Sequence, residues 1–359
     1  MKILIFAGGS GKRLWPISRR KKPKQFIKLI DNTSTYLDII NKLYPIYGWN
    51  NIFVSTNTNH IKYIKEQTPD IPLSNIFEEP ECRDIGPAAG LALLKLKKLG
   101  VVNEPVAILW SDSLIKEVKK FQKYLKQAKC LINQEKAKMV ILGDKPLFAN
   151  SNIGWIKIGS KIKGNIYEFK QFLYRPNMEL CENFIKRKNA LWNTGYFIST
   201  IDLMLKKYEK YNSKLYKKLL KIEKYLDTQN EAKIINEIYP KLEKINFDHA
   251  VAYHITPKET KIIKTNMGWE DPGTLYALKK YFKPSNKNHT KGNVLTHKSK
   301  DCLIYNYDKK KLVAGVNLDS MIIVNTKDAL LVVHKNHVRE VSEMLKSDKL
   351  KKTKLKKYL

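Results

Sequence analysis

Cysteine is scarce. The 359-residue chain has four, Cys82, Cys130, Cys181 and Cys302, far apart and in no C-x-x-C pair. That spacing excludes a disulfide framework and a thiolate metal site, and it fits a reducing, cytoplasmic setting. Long apolar runs are also missing. None approaches the ~18 residues that cross a bilayer, and the apolar N-terminal run is too short for a signal peptide and leads straight into a glycine loop. Acidic residues are few, 34 against 67 basic ones, which leaves a net charge of +33. Such a charge raises nucleic acid or an anionic surface as a partner. However, zinc-finger spacing, an RNA-binding aromatic motif and a basic zipper are all absent, so no specific nucleic acid is expected. The excess is mostly Lys spread along the whole chain, which reads as compositional bias and would still concentrate anionic substrates.

What is present starts with Ile3-Leu4-Ile5-Phe6-Ala7, a short apolar run that reads as a buried parallel strand. Gly8-Gly9-Ser10-Gly11-Lys12-Arg13-Leu14-Trp15-Pro16 follows at once, with Pro23-Lys24-Gln25-Phe26 just behind. Glycines let backbone N–H groups approach a phosphate, and a neighbouring cation neutralises it. A nucleoside triphosphate is the ligand this chemistry fits. Two familiar phosphate loops are excluded. A Walker A loop needs Gly where Phe6 stands, and a dinucleotide fingerprint needs Gly where Leu14 stands.

Over residues 1–283, short apolar segments alternate with amphipathic ones. Strands are expected at Ile3–Ala7, Ile52–Ser55, Val106–Trp110 and Met139–Leu142, and helices at Tyr36–Leu43, Gly90–Leu99 and Phe121–Asn133. This alternation predicts a doubly wound, mostly parallel, Rossmann-like α/β sheet whose ligands lie beyond the C-terminal strand ends. Gly8–Arg13 and Asp112 both follow such ends. Residues 201–245 read as a surface helix pair. A polar stretch, Lys283–Lys291, reads as a linker. Short β segments then recur at Asn293–Thr296, Cys302–Tyr305, Lys311–Gly315, Met321–Asn325 and Leu330–His334, predicting a small β domain over 291–345 that closes with a helix. Residues 346–359, with six lysines between Lys349 and Lys357, read as a frayed basic tail.

The pattern G-G-x-G-x-R-L followed by P-K-Q resembles the signature of sugar-1-phosphate nucleotidyltransferases. The Trp-Pro and Pro-Lys-Gln-Phe elements are most similar to the mannose-1-phosphate guanylyltransferase branch. The resemblance covers Ile3 to about Leu345, and in that family the final segment is a left-handed β-helix-like domain. It implies attack of a sugar phosphate oxygen on the α-phosphorus of the triphosphate, with pyrophosphate leaving. The nucleophile is already an anion, so catalysis rests on positioning, charge neutralisation and Mg²⁺. Arg13 and Lys24 are the expected catalytic cations. Asp112, in Leu109-Trp110-Ser111-Asp112-Ser113, resembles the Asp of the family's L-P-x-D-H, though Asp there also caps helices. Asp271, in Gly268-Trp269-Glu270-Asp271-Pro272-Gly273, resembles that of G-W-S-D-V-G, with a turn-capping Asp as the plainer reading. The resemblance makes Asp112 and Asp271 joint ligands of one Mg²⁺.

The same resemblance assigns the nucleotide to Ala7, Gly8, Gly9, Ser10, Gly11, Lys12, Glu79, Arg83 and Asp84. Asp84-Ile85 replaces the Asn-Thr of the family's E-P-x-x-R-N-T, and an Asp carboxylate matches the N1–H and N2–H₂ donors of guanine. The sugar phosphate falls to Gly154, Tyr174, Arg175, Asn193, Gly195 and Asp248. In Phe172-Leu173-Tyr174-Arg175-Pro176, Tyr174 replaces the Glu of F-V-E-K-P. In Phe247-Asp248-His249-Ala250-Val251, His249 replaces a Tyr and reads as a packing or surface residue. The expected substrates are GTP and mannose 1-phosphate. Another sugar 1-phosphate or another nucleoside triphosphate is the near alternative, and a non-catalytic nucleic-acid or anionic-surface binding protein the distant one. A homodimer is left open.

Overall fold

The computed structural model describes every residue except 10–13, 20–22, 31–32, 272, 274, 283–286, 339, 348–352 and 359. The residues group into two compact units. Unit 1 is Met1–Gly8, Ile39–Ser111 and Ile115–Trp269, and unit 2 is Gly9–Asp38, Asp112–Leu114 and Glu270–Leu359. The chain thus leaves unit 1 after Gly8, after Ser111 and after Trp269. Within two residues of each exit comes a residue expected at the site: Gly9, Asp112 or Asp271.

Unit 1 holds a nine-stranded sheet. Its strands in chain order are β1 (Lys2–Phe6), β2 (Ile52–Asn57), β3 (Ile76–Glu79), β4 (Val106–Trp110), β5 (Met139–Asp144), β6 (Trp155–Lys163), β7 (Ile166–Leu173), β8 (Ala190–Ser199) and β9 (Thr260–Thr265). The spatial order is β3-β2-β1-β4-β8-β5-β9-β7-β6. Pairing is parallel from β3 to β4 and between β5 and β9. β8 and β7 run antiparallel to their neighbours, so the far half of the sheet is mixed. Ile3, Leu4 and Ile5 are fully buried in β1 between two parallel partners, which explains its unbroken apolar run.

The helix Ile85–Lys98 begins against the chain at Ile245, where a glycine lets the two backbones approach. A Cβ on Gly86 would come within 2.6 Å of the Ile245 carbonyl, and Gly86 N–H donates to that oxygen at 2.8 Å. The Tyr208 hydroxyl donates to the Gly86 carbonyl at 2.7 Å. The region expected as a surface helix pair is instead three helices, Ile201–Tyr211, Ser213–Glu223 and Glu231–Ile238. Their inner faces (Met204, Tyr208, Leu219 and Ile222) are buried in the main core. The many lysines conceal this apolar stripe, because all but the buried Lys207 lie away from the core.

Unit 2 contains the short turn Lys24–Phe26, a small hairpin of Lys28–Ile30 and Thr33–Ser34, the helix Leu275–Phe282, a run of six short strands over 289–334 and a closing helix Glu340–Met344. The strands are β10 (His289–Lys291), β11 (Val294–His297), β12 (Leu303–Asn306), β13 (Val313–Val316), β14 (Met321–Asn325) and β15 (Leu330–His334). β10, β12 and β14 stack in parallel register, β11 pairs parallel with β13, and β15 closes antiparallel on β14. This is a β-helix-like coil. Leu303, Tyr305, Ile322 and Val324 face one core with Leu14, Leu114, Leu275 and Leu278, whereas Ile304 and Ile323 face the other side. Asn325 donates to the Asn306 side chain at 2.8 Å, continuing the stack through an amide ladder. Asp301, 6% exposed, receives Lys279, Lys335 at 2.6 Å and the Tyr276 hydroxyl at 3.0 Å, which ties the helix Leu275–Phe282 to the coil.

The described part of the tail is not frayed. Lys354–Tyr358 forms a helical turn, and the Tyr358 carbonyl accepts from Trp15 Nε1 at 2.8 Å and from Arg19. All four cysteines are free. Among the described residues no helix is long and apolar enough to cross a membrane.

Candidate active site

Four expected nucleotide and catalytic residues, Ser10, Gly11, Lys12 and Arg13, lie outside the described residues. Their neighbours are well placed. In unit 1, Ala7 N–H donates to the Ser55 carbonyl at 2.8 Å, and Thr56 Oγ1 donates to the Ala7 carbonyl at 2.9 Å, which fixes the end of β1. A Cβ on Gly8 would sit 3.6 Å from Glu79 Oε1. Glu79, at the end of β3, is therefore a carboxyl directly behind the glycine turn. It is 6% exposed and accepts from Ser55 Oγ at 2.9 Å and from the Tyr239 hydroxyl at 3.0 Å. Burial pushes its pKa up to about 7 against those two hydrogen bonds.

Asp84 caps the helix Ile85–Lys98 from a positive φ of 68° and accepts from Ile85 N–H at 2.8 Å while its side chain stays exposed. Arg83 pairs with Glu81 at 2.9 Å.

The expected sugar residues cluster around a bulge in β8. Register slips between Asn193 and Tyr196, leaving Thr194 and Gly195 as the extra residues. Thr194 Oγ1 donates to the Leu142 carbonyl at 2.6 Å, and Gly195 N–H donates to Asn193 Oδ1 at 3.1 Å. One lone pair of the Asn193 acceptor end is thus used internally, and its amide N–H₂ remains the outward donor. Gly195 has φ +76°, and a Cβ there would collide with Trp110 Nε1. Trp110, which replaces the family's Pro, packs under the bulge with Phe6 (5.5 Å between centroids) and Phe247 (6.2 Å).

A Cβ on Gly154 would lie 3.2 Å from the Phe172 ring and 3.4 Å from Asn193. From Phe172 an aromatic chain runs through Tyr253 (5.3 Å) and His249 (5.1 Å) to Tyr174 (5.8 Å). The Arg175 guanidinium lies 4.9 Å over the Tyr174 ring. Half-buried Asp248 belongs to this group. Burial pushes it up to about 6, while the charges of His249 and Arg175 oppose the rise. Gly154, Asn193, Gly195, Tyr174, Arg175 and Asp248 therefore form one continuous patch of unit 1. Tyr174 and His249, two of the departures from the family motifs, touch each other.

In unit 2, Pro23 sets an extended entry to the turn Lys24–Phe26, whose three residues are all buried. Gln25 Nε2 donates to the Gly9 carbonyl at 3.0 Å, and the Phe26 ring packs on Tyr36 at 5.2 Å. Lys24, 4% exposed, places its ammonium 3.2 Å from Asp112 Oδ2 and 3.6 Å from Asp271 Oδ1. Three residues from distant parts of the chain thus meet at one ammonium, Lys24 with both expected metal ligands. A buried ammonium without carboxylate partners would be strongly unfavourable, so these contacts also hold the turn in place.

Three contributors carry no assignment from the sequence alone. Gln25 lies inside a recognisable motif that gives it no role of its own. Tyr239 reaches Glu79 from 160 positions away. Asp144, at the end of β5, is a buried carboxylate whose Oδ1 accepts from Thr265 Oγ1 at 2.6 Å and Met267 N–H at 3.1 Å, and whose Oδ2 accepts from Trp269 N–H at 3.2 Å. It fastens the segment that precedes Asp271, and no local signal marks it.

A family model of nucleotidyl transferases matches residues 2–288, and a model of a MannoseP isomerase/GMP-like beta-helix domain matches residues 292–347. The chain is 28% identical to the alginate biosynthesis protein AlgA of Pseudomonas aeruginosa, over 96% of this chain and 71% of that one. It is also 28% identical to the mannose-1-phosphate guanylyltransferase of Escherichia coli, over 95% of this chain and 74% of that one. A crystal structure described as mannose-1-phosphate geranyltransferase from Thermus thermophilus has the same fold, with a TM-score of 0.84 and 23% identity over 96% of this chain and 98% of that chain. The glycine turn, the lysine with its two aspartates and the β-helix-like coil agree with these matches, and the chain belongs to the nucleotidyl transferase family as an enzyme of that class.

Proposed function

We propose that this enzyme transfers GMP from GTP to mannose 1-phosphate in a Mg²⁺-dependent reaction, giving GDP-mannose and pyrophosphate. The observation that carries this reading is the meeting of Lys24, Asp112 and Asp271, together with the guanylyltransferase named among the relatives. Asp112 and Asp271 are hard oxygen donors suited to Mg²⁺, and they would hold it with phosphate oxygens and water completing the shell. When bound, Mg²⁺ supplies charge neutralisation at the triphosphate.

The chain's own residues do the rest. The glycine turn offers backbone N–H groups to the phosphates, with Gly9 held by Gln25. Lys24 meets developing negative charge near the α-phosphate, and Arg13 meets the leaving pyrophosphate. Arg175 binds the sugar phosphate and orients its oxygen for in-line attack, while Asn193 and Asp248 take sugar hydroxyls. The nucleophile arrives as an anion, so no residue has to remove a proton.

The test is pyrophosphate release with Mg²⁺ over four nucleoside triphosphates against mannose, glucose and heptose 1-phosphates. A maximum at GTP with mannose 1-phosphate supports the proposal, and no release from that pair refutes it. A second reading keeps the chemistry and changes the sugar. The contact between Tyr174 and His249 favours it, since an aromatic pair stands where the family motifs have Glu and Tyr. A maximum at another sugar would select it.

A further inference from the structure

This inference rests on the proposed function and concerns what fills the carboxylate pair when the metal is absent. We propose that Lys24 and a divalent cation are alternative occupants of one site. Without metal, the Lys24 ammonium is the shared counter-ion of Asp112 and Asp271. Metal entry frees it to meet the triphosphate.

The geometry leads there directly. Both carboxylates lie within ion-pair distance of the same nitrogen, at 3.2 and 3.6 Å. Two carboxylates this close repel unless a cation sits with them. The lysine backbone is fixed: the turn Lys24–Phe26 is buried, Gln25 is tied to Gly9, and Phe26 packs on Tyr36. The four-carbon side chain is the only part able to leave, and its length lets the ammonium swing without disturbing the turn.

Charge counting gives the direction. A divalent cation carries twice the charge of the ammonium, so it is the stronger counter-ion for the two carboxylates. Once it is bound the pair is neutralised, and the ammonium loses its hold on the carboxylates. A phosphate oxygen is then the strongest acceptor within its reach. Metal and nucleotide must therefore bind cooperatively, each favouring the arrangement the other needs. Both carboxylates are partly exposed, with side-chain exposures of 43% and 29%, so screening reduces the competition below its interior value.

The experiment is titration of the nucleotide-free protein with Mn²⁺ alone, following free Mn²⁺ by electron paramagnetic resonance. Wild type is compared with Lys24→Met, Lys24→Gln and Lys24→Arg. Removing the competing ammonium is expected to tighten Mn²⁺ binding about tenfold in the Met and Gln variants, while Arg stays near wild type. Equal or weaker Mn²⁺ binding in both neutral variants overturns the proposal, because Lys24 would then be a strut that pre-forms the pair. Gln keeps a polar head and covers the case in which Met fails to fold. If the neutral variants bind Mn²⁺ tightly while wild type transfers no nucleotide, this inference stands and the proposed function falls. If wild type transfers GMP normally and Mn²⁺ affinity is unchanged, only this inference falls.

Discussion

Glu79→Gln separates the charge of the buried carboxyl behind the glycine turn from its shape. Glu79 is nearly inaccessible, and its pKa is raised from 4.5 to about 7, chiefly by burial. The folded protein therefore holds that proton more tightly than the unfolded chain, by about 3 kcal/mol at full effect. For a raised pKa the contribution is fully present below the unfolded value and is lost as pH rises through the folded one. Wild type should thus lose stability between about pH 5 and about pH 8.5, by about 2 to 3 kcal/mol from this group alone. The substituted glutamine side chain stays neutral throughout. Its amide meets two hydroxyls, Ser55 and Tyr239, and each can donate or accept, so any mismatch is a constant offset rather than a slope. The assay is urea unfolding of both proteins at several pH values across that window. The difference should move in favour of the variant as pH rises. Parallel stability curves would refute the reasoning, since Glu79 would then titrate alike in both states.

Gly195→Ala forces a Cβ onto Trp110 at a φ of +76°. A loss of about 2 kcal/mol or more in urea unfolding is expected, with a raised KM for the sugar phosphate as Asn193 shifts. An unchanged KM would mean that the bulge does not hold Asn193. Asp301→Asn removes the carboxylate that Lys279 and Lys335 share. Although burial raises the Asp301 pKa, the hydrogen bonds from Lys279, Lys335 and Tyr276 outweigh it and hold the group below its ordinary range. Its contribution is present above that range and lost as pH falls toward the folded value. The variant should be about 3 kcal/mol less stable at neutral pH, with the gap closing in acid, as followed by unfolding at neutral and acidic pH. A gap that does not narrow in acid would contradict this assignment.

Many of the candidate residues are legible in the sequence because they stand in short local patterns. Gly8-Gly9, Pro23-Lys24-Gln25 and Trp192-Asn193-Thr194-Gly195 each occupy consecutive residues, and each falls on a strand end, a tight turn or a bulge. The strand Val106–Trp110 matches its expected boundaries because a buried parallel strand is an uninterrupted apolar run. Asp144 escapes such a reading because the Thr265 hydroxyl and the Met267 and Trp269 N–H groups that it accepts from lie more than 120 positions away, and Tyr239 because one Tyr among several in a Lys-rich helical region has no signature. The tail departs from expectation for a related reason. Its lysines predict solvation, but the contact that anchors it uses the Tyr358 carbonyl, and every residue has a carbonyl.

The sequence by itself determined the glycine-rich segment after β1, the alternation that builds the sheet and the coil of short strands, because these follow from backbone freedom and hydrophobic period over a few residues. Only the tertiary structure decided that Lys24, Asp112 and Asp271 share one ammonium, that Glu79 lies protected behind Gly8, and that Tyr174 meets His249. The physical reason is range. Desolvation and Coulomb attraction act over a few ångströms of space, and only folding brings residues from distant parts of the chain that close.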